Sequence, residues 1–211
     1  MSNSGYAKLT SALIAAWFVF AVVASARHMF VGNPGMPPIA LGLAAVLPVV
    51  FFLIWLAASQ SFRRFALSLD PRILTFVQSW RIAGYVFLAL AAVNALPVTF
   101  AWPAGWGDFF IGLTAPLAAL KLANPGRRQA FILWQILGIT DLVTAVTLGA
   151  TVGLLEPHGI PTTLMTELPL SMIPTFGVPL FLILHIINIQ QARQWAPSAQ
   201  ADAILSPAKI G

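Results

Sequence analysis

The chain has 211 residues, of which 59% are hydrophobic and only 8% are charged. An ordinary soluble domain has about 25% charged residues, so a polar surface cannot enclose a chain this apolar. The composition excludes a soluble globular protein and predicts a single integral membrane domain over residues 1–211. The net charge of +5 does not indicate nucleic-acid binding, because the basic residues stand singly or in pairs at the ends of apolar runs.

Apolar runs divide the chain into six segments, most of them near the roughly 20 residues that cross a hydrocarbon core about 30 Å thick. Turn-forming glycine, proline and asparagine residues separate the runs. The fourth run is short unless it reaches back into the turn expected at residues 102–106. We therefore predict an all-α, polytopic bundle of six transmembrane helices, with spans near 9–28, 38–58, 74–96, 108–122, 129–153 and 169–191.

The link between the second and third spans, residues 59–73, allows two interpretations. Phe62, Phe65 and Leu69 recur at helical spacing opposite Arg63 and Arg64, which is typical of a short amphipathic helix at the membrane surface. The segment can equally be an extension of the second span. Both interpretations stay open at this stage.

Lysine and arginine predict the orientation of the spans, because these residues are enriched in cytoplasmic loops. The connections after spans two and four, and the segment after span six, hold most of the basic residues, whereas the alternate connections hold only Arg27. We expect both termini in the cytoplasm, with residues 196–211 as a cytoplasmic tail. Short polar loops favour a bacterial cytoplasmic (inner) membrane. The basic residues on the predicted cytoplasmic side are Arg63, Arg64, Arg72, Lys121, Arg127, Arg128, Arg193 and Lys209.

Two sequence features suggest irregular architecture. The tripeptide Asn-Pro-Gly follows span one at 33–35 and span four at 124–126, which can mark an inverted three-plus-three repeat or simply a common turn. Pro174, Gly177 and Pro179 fall within span six and predict a kinked or broken helix there, because proline removes a backbone hydrogen bond.

The main ionisable residues well inside predicted spans are Arg81, Asp141 and His185. A charge within a span is costly and usually faces the interior of the bundle, so these residues are the main candidates for binding a ligand or a proton. Arg81 and His185 come out at a similar depth, and Asp141 lies roughly 10 Å deeper. The long side chain of Arg81 can bridge that difference, which predicts an Arg81–Asp141 pair with His185 nearby.

Polar residues on the same helical faces extend this site. Gln78 shares a face of span three with Arg81, Gln135 precedes Asp141 on span five, and Asn188 follows His185 on span six. The alternative to a functional site is a set of polar side chains that only hold the bundle together. The sequence does not decide between these possibilities.

A second group of polar residues is expected on the outer side, in or beside the connections. Its side chains are of types that can bind metals, but no spacing such as His-x-x-x-His places two of them on one face. We predict an ordinary solvated group and no metal site. The residues of this outer-face group are His28, Asn94, Asp108, His158 and Glu167.

The sequence contains no cysteine and no recognisable catalytic motif, so thiol chemistry is excluded and conventional enzyme chemistry is not expected. No cofactor is predicted, although a haem or chlorophyll bound through His185 alone stays open. We expect a non-catalytic membrane subunit or binding protein for a protein, lipid or pigment, either as a homo-oligomer or with other membrane subunits. The alternative is transport, by a small proton-coupled transporter acting as a homo-oligomer.

Overall fold

A computed structural model describes residues 2–32 and 38–195, and all regular structure in these residues is helical. Helix accounts for 83% of this part of the chain. Five helical segments are long and apolar enough to cross a membrane, which identifies an integral membrane protein. They are Asn3–Ala26, Ile39–Ala58, Pro71–Ala92, Pro125–Leu155 and Ile173–Gln194.

The helices follow one another with short connections. The α-helices are α1 (Asn3–Ala26), α2 (Ile39–Ala58), α3 (Gln60–Leu67), α4 (Pro71–Val77), α5 (Tyr85–Ala92), α6 (Val98–Lys121), α7 (Arg128–Leu155) and α8 (Val178–Gln194). Three 3-10 segments, Gln78–Gly84, Pro125–Arg127 and Thr163–Thr166, and the π-turn Ile173–Gly177 complete the helical structure of the described residues.

The predicted fourth span, 108–122, is wrong at its beginning, because α6 starts ten residues earlier at Val98. Pro103 and Gly105 were expected to reverse the chain but lie inside the helix. A proline inside a membrane helix removes only one backbone hydrogen bond, so the helix can continue past it. Although α6 has 24 residues, it is not among the five segments that are apolar enough to qualify as spans.

The link between the second and third spans forms a separate helix, α3, and does not extend α2. Ser59 adopts an extended conformation and its side chain accepts a hydrogen bond from the backbone N–H of Phe62 at 3.2 Å, which caps α3. The apolar face of α3 packs against α1 and α2. Phe62 and Phe65 are buried, and they contact Tyr6 of α1 and Trp55 of α2.

The third predicted span consists of α4, the 3-10 segment and α5 in direct succession. A 3-10 helix has three residues per turn, so side chains three positions apart lie on one line. Gln78, Arg81 and Gly84 are consequently all buried, whereas Tyr85 is 59% exposed. A continuous α-helix would place Tyr85, four residues after Arg81, on the same face, whereas the 3-10 segment turns it outward.

Helix α6 packs closely against the 3-10 segment and α5 through residues without large side chains. Ala101, Ala104, Gly105, Gly112 and Ala115 are buried at three- and four-residue spacing along one face. A Cβ atom on Gly112 would overlap the backbone nitrogen of Ile82 in the 3-10 segment. This backbone-to-backbone approach is typical of small-residue packing between membrane helices.

The break expected in span six is a π-turn that precedes α8. Pro179 has no N–H to donate to the carbonyl four residues earlier, which belongs to Thr175. The indole N–H of Trp17 on α1 donates to that carbonyl at 3.1 Å. The missing helical hydrogen bond is thereby replaced by one that attaches α1 to the π-turn.

Two sequence predictions fall partly or wholly outside the described residues. Asn33-Pro34-Gly35 and the expected tail at 196–211 both lie there. In the second Asn-Pro-Gly, Pro125 and Gly126 begin a short 3-10 segment. The inverted repeat therefore stays a prediction.

The close approach at Gly112 generates the first prediction. Gly112→Ala should lower the free energy of unfolding by about 1–3 kcal/mol, because the added methyl group forces the 3-10 segment away from α6. Unfolding in mixed detergent micelles measures this change. Gly153→Ala on α7 is the matched control, since its Cβ would meet no atom within 4 Å, and it should not destabilise the protein. Equal stability of the two variants would contradict the packing described here.

Candidate functional site

The guanidinium of Arg81 lies at the centre of a buried group of polar side chains. Arg81 is only 3% exposed, and its Nε donates to Oδ1 of Asp108 on α6 at 2.7 Å. Its Nη2 forms a second ion pair with Oδ2 of Asp141 on α7. One positively charged group therefore faces two carboxylates from two different helices.

The third guanidinium nitrogen of Arg81 is bound by protein groups as well. Nη1 donates to the backbone carbonyl of Gly138 at 3.3 Å and lies 3.1 Å from Nε2 of His185 on α8. A Cβ atom on Gly138 would overlap the His185 ring, so glycine is required there for α7 and α8 to approach. All three nitrogens of Arg81 thus contact protein acceptors, and they join the 3-10 segment to α6, α7 and α8.

Hydrogen bonds from His185 continue this network toward α4. Nδ1 of His185 pairs with Oε1 of Gln135, and Nε2 of Gln135 donates to Oγ1 of Thr75 at 3.3 Å. Asn188 also donates to Thr75, at 3.1 Å, and the Thr75 hydroxyl donates to the carbonyl of Pro71 at 2.7 Å. We refer to Arg81, Asp108, Asp141, His185 and Gln135 as the Arg81 cluster.

The directions of these hydrogen bonds determine the charge state of His185. A guanidinium can only donate, so Nε2 of His185 must accept from Arg81 and carries no proton. Nδ1 therefore carries the proton and donates to the carbonyl oxygen of Gln135. In this arrangement His185 is neutral, and it contributes no positive charge to the cluster.

Gln78 lies one 3-10 turn before Arg81 but does not contact it through a hydrogen bond. Its amide nitrogen donates to the backbone carbonyl of Phe181 on α8 at 3.2 Å. Oε1 of Gln78 and Oδ1 of Asn188 are buried and have no hydrogen-bond partner among the described residues. Both oxygens can accept a hydrogen bond from a bound water or ligand.

The structure brings together most of the residues predicted inside the membrane. Arg81, Asp141, His185 and Gln135 are in direct contact. Asn188 joins them through Thr75, and Gln78 binds the neighbouring backbone. Whether these residues carry a function remains a prediction.

Asp108 is placed differently from the prediction, which assigned it to the outer-face group. It is 7% exposed and bonds to Arg81, because α6 begins at Val98 and carries Asp108 about three turns into the bundle. The spacing of small residues in the sequence could have shown that Asp108 faces the interior. Asp108 continues the spacing of the small residues Ala101, Ala104, Gly105 and Gly112, so it shares their inward face.

The remaining residues of the outer-face group, His28, Asn94, His158 and Glu167, are exposed. His28 and Asn94 have positive φ angles of 54° and 57° just after α1 and α5, a conformation in which asparagine and histidine often end helices. In the described part of the chain, no three His, Asp or Glu side chains are grouped as metal ligands. The positive φ angles of His28 and Asn94 therefore explain these two residues structurally, as helix ends.

A haem or chlorophyll bound through His185 does not fit this geometry. Both ring nitrogens are in hydrogen-bond contact with protein groups, and the residue is fully buried. A Trp134 ring lies 5.7 Å from the imidazole and covers one side of it. A ligated metal would have to displace either Arg81 or Gln135.

The fold and the Arg81 cluster define an all-helical integral membrane protein with buried ion pairs between its helices. The chain belongs to the family described as "Domain of unknown function (DUF8737)", whose model matches residues 37–193. This range contains every residue of the Arg81 cluster. No curated protein and no solved structure matches the chain.

The ion pairs predict strong thermodynamic coupling between Arg81 and Asp141. Arg81→Gln leaves two buried carboxylates without a cation and should reduce the free energy of unfolding by about 3–5 kcal/mol. The double variant Arg81→Gln/Asp141→Asn should lose less than the sum of the two single variants, with a coupling energy of about 0.5–3 kcal/mol. Denaturation in mixed micelles measures these values.

The exposed Arg127 provides a matched control for this cycle. Arg127→Gln should change stability by no more than about 0.5 kcal/mol, because the residue lies at the surface. Additive losses for Arg81→Gln and Asp141→Asn would contradict a direct interaction.

Proposed function

We propose that the chain is a six-span, non-catalytic membrane protein, with both termini in the cytoplasm of a bacterium, whose Arg81 cluster binds one proton. It acts as a subunit or binding protein for other membrane components. The observation that carries the proposal is the contact of one guanidinium with two carboxylates beside a neutral histidine.

The packing of helix ends supports the six-span topology. The end of α6, the start of α7 and the end of α8 meet where Ala123, Phe131 and Ala192 are buried together. At the opposite end of α6, Thr99 contacts Glu156, which follows α7. Helix α6 therefore runs the length of the bundle beside α7, which is itself apolar enough to span.

The outward face of α6 also suits a lipid environment. Large apolar side chains are exposed along it at three- and four-residue spacing. Asp108 lowers the mean hydropathy of α6, but it is buried and contacts Arg81 rather than lipid. The exposed residues on the outward face are Trp102, Trp106, Phe110, Leu113, Leu117 and Leu120.

The distribution of basic residues supports the orientation. The side chain of Gln191, near the end of α8, donates to the carbonyls of Leu67 at the end of α3 and of Leu69 just after it, so these segments share one end of the bundle. Tyr6, near the start of α1, packs against α3 at the same end. Basic residues are enriched on the cytoplasmic side of membrane proteins. Those gathered at this end include Lys8, Arg63, Arg64, Lys121, Arg127, Arg128 and Arg193.

Charge balance supports the bound proton. With both aspartates ionised and His185 neutral, the Arg81 cluster would carry one net negative charge inside the bundle. The effective penalty for an unbalanced buried ion is several kcal/mol, and a buried group usually neutralises instead. One proton held on Asp108 or Asp141 removes the imbalance, and the other carboxylate stays paired with Arg81.

The same contacts argue for a non-catalytic role. Each guanidinium nitrogen of Arg81 is bound by a protein acceptor, and both aspartates are paired with this group. Binding of a proton changes the charge of the cluster and hence the strength of the contacts among α6, α7 and the 3-10 segment. The cluster is thus suited to adjusting helix packing.

Proton-coupled transport by a homo-oligomer is the second candidate, and one observation favours it. A cavity of about 70 Å³ reaches Asp108 and is also lined by Phe87, Leu142 and Pro174 of the π-turn. Irregular backbone beside a cavity is a feature of transporter binding sites. A small homo-oligomer with proton-dependent uptake of a solute, abolished by Asp141→Asn, would favour transport. A large stable assembly after purification in mild detergent would favour the accessory role.

The topology predicts which side of the membrane each end of α6 occupies. The chain has no cysteine, so single cysteines can be introduced without background labelling. In spheroplasts, a membrane-impermeant maleimide should label Val93→Cys directly but should label Gly126→Cys only after permeabilisation. His158→Cys is the control for the outer side. Labelling of Val93→Cys and Gly126→Cys from the same side would show that α6 does not cross.

The bound proton predicts an infrared signature. The wild-type protein at neutral pH should show the C=O stretching band of one protonated carboxyl group. Asp108→Asn and Asp141→Asn should each abolish this band, because one carboxylate then balances Arg81 and no proton is required. Fourier-transform infrared spectroscopy with H/D exchange measures the band.

The exposed carboxyl group of Glu156 supplies the control for the infrared experiment. Glu156→Gln should leave the band unchanged, because Glu156 is at the surface and outside the cluster. A wild-type spectrum without the band, or a band that persists in both aspartate variants, would contradict the proposal.

A further inference from the structure

A large apolar cavity lies between α1 and the rest of the bundle, and none of its lining residues belongs to the Arg81 cluster. Its volume is about 580 Å³, and its walls come from α1, α2, α3 and α8. Wall residues include Ile14, Leu47, Phe51 and Ile183. The walls are almost entirely apolar, so the cavity fits a hydrocarbon ligand.

The cavity exists because α1 is held by the bundle on either side of residues 7–16. On the N-terminal side, Tyr6 stacks on Phe65 with ring centroids 5.7 Å apart. On the other, Trp17 packs against Phe176 and donates to the carbonyl of Thr175. Every residue from 7 to 16 is exposed or half-buried, so this stretch of α1 is separated from α2 and α8.

The cavity is open toward the surroundings of the bundle. Leu13 on α1 is 43% exposed, and Leu47 and Phe51 on α2 are 56% and 59% exposed. These residues belong to helices that are apolar enough to span a membrane, so lipid chains are the molecules that surround the opening. A hydrocarbon chain can therefore enter from the bilayer without crossing water.

Exposed basic residues are the sequence neighbours of residues that line one end of this cavity. Phe62 and Phe65 of α3 line it, and the adjacent Arg63 and Arg64 are exposed. Ala7 of α1 also lines it, and the adjacent Lys8 is exposed. An apolar cavity with cations at one end matches an anionic phospholipid, with its acyl chain inside and its phosphate near the cations.

We propose that this cavity binds an anionic phospholipid of the cytoplasmic leaflet. The acyl chain occupies the space between α1, α2 and α8, and the headgroup binds at Lys8, Arg63 and Arg64. The choice of leaflet rests on the orientation proposed above. The cavity and the basic residues beside it do not depend on that orientation. The lipid fills the gap beside α1 and stabilises its position against the bundle.

The test uses the full chain purified in mild detergent, with phosphatidylglycerol and phosphatidylcholine of equal chain length as probes. Native mass spectrometry measures lipid binding, and thermal unfolding measures the resulting stabilisation. Phosphatidylglycerol should bind more tightly than phosphatidylcholine. The variant Arg63→Gln/Arg64→Gln should weaken phosphatidylglycerol binding by about thirtyfold, because each basic side chain contributes to attraction of an anionic headgroup.

Two tryptophan variants with matched neighbours test the acyl-chain site. Ser11→Trp from α1 and Leu47→Trp from α2 place a bulky ring in the cavity and should abolish binding. Ala12→Trp and Val46→Trp add the same ring at exposed positions that do not line the cavity, and should bind as the wild type does. All four positions are exposed, so the variants should fold, which circular dichroism checks.

Several results would overturn the proposal. Binding that persists in both Ser11→Trp and Leu47→Trp would place the lipid elsewhere, and equal binding of the two probes would exclude recognition of an anionic headgroup. A disulfide between two copies of Ser11→Cys would assign the cavity to a second copy of the chain. The infrared band of the Arg81 cluster is measured independently, so failure of the lipid proposal would leave the proton proposal intact.

Discussion

The structure depends on the burial of one guanidinium, that of Arg81, in the interior of a membrane protein. A charge at this position is tolerated only where other groups replace water, and every nitrogen of Arg81 is accordingly in contact with an acceptor. The acceptors come from α6, α7 and α8. Because Arg81 needs all of them, one side chain sets the positions of three helices relative to each other. The ion pairs specify an arrangement, although they need not add to the net free energy of unfolding.

Close backbone contact makes this arrangement possible. A Cβ atom on Gly84 would overlap Asp108, one on Gly107 would overlap Asp141, and one on Gly138 would overlap His185. These polar side chains therefore occupy space that is available only because glycine stands opposite each of them. The 3-10 segment contributes as well, since its period of three residues places Gly84 on the same line as Arg81.

Much of the fold could be predicted from the sequence, because apolar runs and turn residues reflect the lipid environment directly. Five of the expected spans correspond to helices of suitable length and apolarity. The start of α6 could not be found in this way, since its inward face is rich in glycine and alanine and its prolines resemble turn signals. In a helix that packs against other helices along one face, the spacing of small residues is more informative than mean hydropathy.

The candidate site, like the fold, could be predicted from the sequence only in part. Arg81, Asp141 and His185 stand out because each is ionisable within an apolar run, and their grouping follows from helical periodicity. Asp108 did not stand out, because it was assigned to the edge of a span. The misplaced boundary concealed the second carboxylate, and with it the charge imbalance that now argues for a bound proton.

The two proposed sites differ in how they are attached to the fold. The Arg81 cluster lies wholly within residues 37–193, where ion pairs join adjacent helices. The cavity depends on α1, which precedes this range and is held near Tyr6 and Trp17 by aromatic contacts and one hydrogen bond. Trp17 bonds to the π-turn, and residues of that turn also line the small cavity at Asp108. The π-turn therefore contacts both the tryptophan that holds α1 beside the large cavity and the wall of the small cavity at Asp108.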